Sequence, residues 1–204
     1  MTGLITQNKS YNYNKEFYGN TETQEKLNDP EFDSILGNTL QHEGGFTVDV
    51  GGPTNQGITQ KSYDSYITKR GVNGKSVKEL KPEEVGKFYY DEFYTAPKLN
   101  TIPYQSVKGI LFDYAVNSGS SRAVKDLQKE VGVEVDGSLG PKTLSAVDKY
   151  VKQYGETFLA HQILNRRANY MITLSQKNPD KYSKYLQGWL NRISNLKEQY
   201  QLNQ

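Results

Sequence analysis

The 204-residue sequence has no cysteine and only two histidines, His42 and His161. Lack of cysteine excludes a disulfide framework, a thiol nucleophile and a cysteine metal site. Two histidines are too few for multi-histidine metal chemistry, and no metal or organic cofactor is expected. Aliphatic residues are scarce as well: the hydrophobic fraction is 35% and the mean hydropathy is -0.78. No apolar run reaches the ~18 residues of a membrane span, so none is expected. The opening MTGLITQNKSYNYNKEF has no apolar stretch behind a basic start, so no secretory signal peptide is expected either. Charge of one sign is missing too. With 25 Lys and Arg against 23 Asp and Glu, the formal net charge is +2, without the concentrated basic charge of a dedicated nucleic-acid binder. Carboxylates and hydroxyls are left to carry any chemistry.

What is abundant is aromatic. Sixteen Tyr, seven Phe and one Trp bring large apolar bodies with polar tips, enough for a core despite the few aliphatics. Residues 1–28 alternate Asn, Tyr, Thr, Gln and Lys and read as a polar arm. A first helix follows, with Asp29 as cap, Pro30 at its first position and Phe32, Ile35, Leu36 and Leu40 on one face. Gly44 and Gly45 close it, making Glu43 its last residue. FTVDV alternates as a strand, and GGPTNQG is dense in turn residues, so a small β-hairpin is expected between Glu43 and Thr59.

Helices then run almost to the end. Thr59 caps one carrying Tyr63, Tyr66 and Ile67. Pro82 opens one with Val85, Phe88, Tyr89 and Phe93 on one face. Others carry Val107, Ile110 and Leu111; Val124, Leu127 and Val131; and Leu144, Val147 and Val151. Two longer helices are expected over roughly 156–176 and 180–200. The fold class is mainly α with one hairpin. Its expected division is an arm at 1–28, a catalytic region at 29–110 and a helical C-terminal region at 111–204.

Glu43 stands out. It lies eleven positions beyond Phe32, and at about 100° per residue that returns it to within roughly 20° of the apolar face. A carboxyl on the core side of a helix end is partly desolvated, which raises its pKa towards that of a general acid. The glycines after it, Gly44 and Gly45, let a substrate approach the backbone closely. Asp49 across the strand supplies a second carboxylate, and such a pair flanking a cleft suits glycoside hydrolysis; a solvated hairpin residue is the plain reading. Thr54 and Thr59 flank the turn, where either hydroxyl orients a water or serves turn bonding and capping. His42-Glu43 begins like HExxH, but Phe46 stands where the second histidine belongs, which removes a zinc protease. Asp113 and Asn117 share the helix face away from Val107 and Ile110, lining a cleft or simply meeting solvent.

These residues resemble a known family. EGG at 43–45 followed by GGPTNQGIT at 51–59 is similar to the start of glycoside hydrolase family 108, the lysozyme-like N-acetylmuramidases of phage endolysins and bacterial wall hydrolases. LFDYAVNSGSSRAVKDLQKEVGVEVDGSLGPKTLSAV at 111–147 and QGWLNRI at 187–193 resemble that family's C-terminal peptidoglycan-binding region. The resemblance implies a helical lysozyme fold with a hairpin beside the active-site helix. It implies that Glu43 is the general acid, with Asp49 as second carboxylate and Thr54 positioning water. Gly44, Gly45, Thr59, Asp113 and Asn117 are candidate substrate contacts. The stretch between EGG and Asp49 is shorter than the family usually has.

The expected function is a muramidase that cuts the β-1,4 bond between N-acetylmuramic acid and N-acetylglucosamine. Its partner is the peptidoglycan glycan strand. Phage virion proteins are further partners through residues 1–28, and neither nucleic acid nor membrane is expected. The site of action is the cell wall, reached from the host cytoplasm or carried on a virion. Two alternatives stay open: a lytic transglycosylase, which needs no second carboxylate, and a non-catalytic wall-binding or virion part.

Overall fold

The computed structural model describes residues 29–40, 47–49, 52–71 and 74–202, with 47–49 and 52 as backbone. They fall into two compact units that part between Asp91 and Glu92. The polar arm at 1–28 and Glu43, Gly44 and Gly45 lie outside the described residues.

The first unit opens with α1, Pro30–Leu40. Asp29 caps it as expected, accepting from the Phe32 N–H at 3.0 Å. Its inner face buries Phe32, Ile35 and Leu36, and the edge of Phe32 meets Tyr90 at 4.9 Å. The expected hairpin carries a further strand: β1 (Thr47–Asp49), β2 (Gly52–Asn55) and β3 (Ile58–Thr59) form an antiparallel three-stranded sheet in that order. Two helices follow, α2 at Gln60–Thr68 and α3 at Pro82–Tyr89. Pro82 sits in the first turn of α3, where its missing N–H costs nothing.

A π-helical turn, Tyr90–Thr95, continues α3 and corrects one expectation. Phe93 was to follow Tyr89 on the buried face; it is half-buried, and Tyr94 takes that place at 1% exposure. A π turn inserts one residue, so the inward position after Tyr89 moves from i+4 to i+5.

Among its described residues the second unit has a 3-10 turn, Leu99–Thr101, and five α-helices: α4 (Gln105–Ser118), α5 (Ser120–Val131), α6 (Pro141–Tyr154), α7 (Glu156–Lys177) and α8 (Pro179–Gln199). Helix α4 lies at its centre, packed by α5 and α7; α6 rests on α5 and α7, and α8 on α7. Every residue from Val107 to Ala115 is buried. The compact units part upstream of that run, at 91/92. At Gly109 a Cβ would come within 1.8 Å of the Tyr200 hydroxyl, so the close approach of the α8 end needs a glycine there. The chain beyond α8 is pinned by the buried Leu202, whose carbonyl accepts from His161 Nε2.

Candidate functional site

The sheet carries the candidates that follow Glu43. Its register pairs Thr47 with Thr54 and Asp49 with Gly52, and then Thr54 with Thr59 and Asn55 with Ile58. Directly opposed positions share a face and faces alternate along a strand. Positions 47, 49, 54 and 59 therefore fall on one parity and positions 55 and 58 on the other. Ile58 and Asn55 are buried at 1% and 8% exposure, which makes theirs the core parity. Thr54 and Thr59 lie on the other parity, two hydroxyl residues that are half-buried, and backbone position 49 shares that parity.

Polar ties fix this sheet. Gln56 and Gly57 join β2 to β3 with φ of 46° and 80°, the double positive φ of a type I′ turn. Gln56 has a Cβ and is strained there, and its carbonyl accepts from the Tyr89 hydroxyl at 2.6 Å. Asn55 Nδ2 donates to the Val77 carbonyl at 2.9 Å, and Gln60 Oε1 accepts from the Val77 N–H at 2.8 Å. Thr59 caps α2, its hydroxyl accepting from the Ser62 N–H at 3.2 Å, which is the capping use anticipated for it. Tyr89 and Asn55 were not among the sequence candidates. The signal for Asn55 was a polar residue on the inward parity of a strand.

Asp113 is not a cleft residue. Its helix is covered on all sides, so the face opposite Val107 and Ile110 does not meet solvent. The carboxylate accepts from Arg167 at 2.7 Å and from Arg192 at 2.9 and 3.0 Å. Burial pushes the Asp113 carboxyl up, but the two guanidinium charges and their hydrogen bonds outweigh it and hold it below the ordinary value. Arg167 is itself 1% exposed, and a sequence signal existed for it. It interrupts the apolar stripe Leu159, Ile163, Leu164, Met171, where an arginine needs a buried carboxylate partner. Asn117, four residues on, is exposed, and its Oδ1 accepts from the Ser118 hydroxyl.

The loop between α5 and α6 is held by one residue. Buried Gln128 donates to Asp136, the Ser138 carbonyl and Thr143, and accepts from the Gly137 N–H. The Gln128 amide and the Ser138 N–H hold the Asp136 carboxyl below its usual value. An open cavity of about 640 Å³ is lined there by residues including Glu134, Asp136, Lys142 and Thr143. Among the described residues no cluster of His, Asp or Glu is placed to hold a metal, and no helix is long and apolar enough to cross a membrane.

A mainly helical chain with a small antiparallel sheet following its first helix is of the lysozyme-like class. The comparisons sharpen this. Residues 36–119 match the family model described as Glycosyl hydrolase 108, and residues 122–194 match the one described as Predicted Peptidoglycan domain. The two matched segments together support a glycoside hydrolase with a peptidoglycan-binding region. Among solved structures it is similar to SagA of Brucella abortus, at 29% identity and a TM-score of 0.68, over 82% of this chain and 92% of that one. No curated protein matches.

Proposed function

We propose that the chain is an N-acetylmuramidase that cleaves the β-1,4 bond between N-acetylmuramic acid and N-acetylglucosamine, with Glu43 as proton donor. The observation that carries this reading is the sheet register just downstream of Glu43. What supports the reading is that backbone positions 49 and 54 share one parity, opposite to that of buried Asn55 and Ile58, within the segment that matches family 108. Glu43 gives its proton to the glycosidic oxygen, the C1–O bond breaks, and positive charge spreads over C1 and the ring oxygen. Asp49 stabilises that charge or takes a proton from the incoming water, whose oxygen bonds to C1. Thr54 orients that water. Gly44 and Gly45 leave the backbone open beside the bond that breaks.

The reading extends to a phage-encoded lysin, acting from the host cytoplasm or from the virion, with residues 1–28 docking it on other virion proteins. What supports the docking role is the polar, tyrosine-rich composition of that arm. Deleting residues 1–28 is expected to leave wall lysis intact and to abolish incorporation into particles; equal incorporation of the truncated chain removes this part of the reading.

The test of the core reading is clearing of purified peptidoglycan by wild type and Glu43→Gln, with fragments identified by mass. Loss of a general acid lowers the rate about a thousandfold, with reducing-end muramic products from the wild type. Products with 1,6-anhydro ends identify a lytic transglycosylase instead. Binding without turnover by the wild type leaves only a wall-binding part.

A further inference from the structure

Three aromatic rings meet at the turn between α6 and α7, in the segment that matches the peptidoglycan domain. Tyr150 and Tyr154 lie 4.8 Å apart, Tyr154 and Phe158 5.7 Å, and Tyr150 and Phe158 stack at 6.3 Å with 19° between planes. Yet Tyr154 and Phe158 are 52% and 44% exposed, unusual for adjacent large rings in a protein this poor in apolar residues. Tyr150 anchors them from below, donating its hydroxyl to Glu130 on α5 at 2.7 Å. The other oxygen of Glu130 accepts from Arg166 on α7. A fixed, partly exposed carboxylate–guanidinium pair thus borders an open aromatic surface. Among the described residues the other strongly exposed aromatic, Tyr185 on α8, offers no comparable surface, since Lys184 lies over its ring and Trp189 stacks beside it.

An apolar patch with a rigid polar border matches one kind of ligand well. A β-linked pyranose presents rows of C–H on its faces and hydroxyl and acetamido groups around its rim. The faces pack on aromatic rings, and the rim accepts hydrogen bonds from a planar guanidinium and donates them to a carboxylate. A stem peptide, in contrast, is met by pairing along a strand edge or by charges of its own to neutralise, whereas this patch lies on helices and its bordering charges, Glu130 and Arg166, are paired with each other. We propose that Tyr154 and Phe158, buttressed by Tyr150 and bordered by Glu130 and Arg166, form a shelf for a sugar ring of the peptidoglycan glycan strand. This rests on the reading that residues 122–194 bind peptidoglycan and assigns the sugar backbone, rather than the peptide, to this surface. By holding the strand through a second set of contacts the shelf raises the local concentration of bonds to be cut.

The test is calorimetric titration of the full chain at low temperature with glycan strands freed of stem peptides by an amidase. Wild type is expected to bind, and the Tyr154→Ala/Phe158→Ala variant to bind at least about tenfold more weakly. Phe158→Trp, which keeps a ring, retains binding. Because both rings are exposed, the double variant should melt with the wild type, which separates a lost shelf from a lost fold. Equal binding by wild type and double variant overturns the proposal and leaves the patch as a protein-facing surface. Binding of intact sacculi but not of stripped strands also overturns it, while leaving peptidoglycan binding itself standing. Failure of the wild type to bind sacculi at all removes both.

Discussion

Among the described residues up to Asp91, the sheet and its turns are tied down by side chains that reach into backbone; from Glu92 onwards, helices wrap round a buried ion cluster. The first unit has short strands and short helices, and its ties are Asn55 and Gln60 on Val77 and Tyr89 on the Gln56 carbonyl. Each ties down one loop. The second unit covers α4 with α5 and α7 and ties α4 to α7 and α8 through Asp113, Arg167 and Arg192. One change in the first unit should therefore loosen a turn, whereas one change at Asp113 should loosen three helices together. The unit that carries the proposed chemistry is the more locally adjustable one, which suits loops that must fit a polymer.

The sharpest way to break this contrast is Asp113→Ala. It leaves two guanidinium groups in a dry interior without their carboxylate, and loss of one partner of a buried ion pair costs about 3–5 kcal/mol. Thermal melting should fall by many degrees. The acid limb follows from the same group. Its folded pKa is lowered, so its stabilisation is present above the ordinary carboxylate value and lost as pH falls through the lower folded one. In an Asp113→Asn variant that part of the acid transition should disappear.

Gly109→Ala comes next. The added Cβ would meet the ring carbon and hydroxyl of Tyr200 at 2.6 and 1.8 Å, so the end of α8 must move. Overpacking of this kind costs about 1–3 kcal/mol. In a double-mutant cycle with Tyr200→Ala, the two losses should fall well short of adding. Additive losses would mean that the end of α8 does not rest on Gly109.

In the first unit the effects are smaller and local. Asn55→Ala removes one of two donors to the Val77 carbonyl, which keeps the Leu80 N–H at 3.2 Å, and is expected to cost about 1 kcal/mol. Gln56→Gly works in the opposite direction. It frees the strained residue of the type I′ turn and should stabilise by up to about 1 kcal/mol. Hydrogen exchange should register both changes in β2 and β3, with α4 to α8 unmoved. A change that spread into those helices would erase the distinction drawn above.

The two units also differ in how far the sequence announced them. Capping and periodicity placed the helices of the second unit well: Pro141 opens α6, and Val124 and Leu127 point inwards as the spacing required. What spacing did not convey was that α4 is covered on every side, which turned Asp113 from a cleft candidate into a buried ion partner. Periodicity reports which side of a helix is apolar, but a charged residue opposite that side reads the same whether it meets water or a buried arginine. In the first unit the FTVDV strand signal matches β1, but GGPTNQG reads as turn where β2 runs through Gly52–Asn55, because glycine, proline and asparagine are turn residue types. The shift from Phe93 to Tyr94 was equally hidden, since a π turn changes the period without changing composition. Glu43, the residue with the strongest chemical argument, lies outside the described residues and rests on its register with Phe32 and on the family match.

The smallest effect concerns Asp33 in the first unit. Burial on α1, with the nearby Asp29 charge adding to it, raises its carboxyl to about 6 from 3.8. The folded state thus prefers the protonated acid. Stabilisation from that preference is complete below the ordinary carboxylate value and is lost as pH rises through about 6. At pH above 7 the ionised group opposes folding, partly offset by the positive end of the helix close by. Asp33 is half-buried, so solvent screening reduces the cost to about 1 kcal/mol or less. Asp33→Asn should therefore melt slightly above the wild type at pH 7.5 and coincide with it near pH 4. The sign is opposite to that at Asp113, where neutralisation destabilises near neutrality and the difference shrinks in acid. Melting curves of both variants across pH 3–8 should diverge in opposite senses. If the Asp33→Asn curve ran parallel to the wild type, α1 would hold its carboxylate as freely as water does.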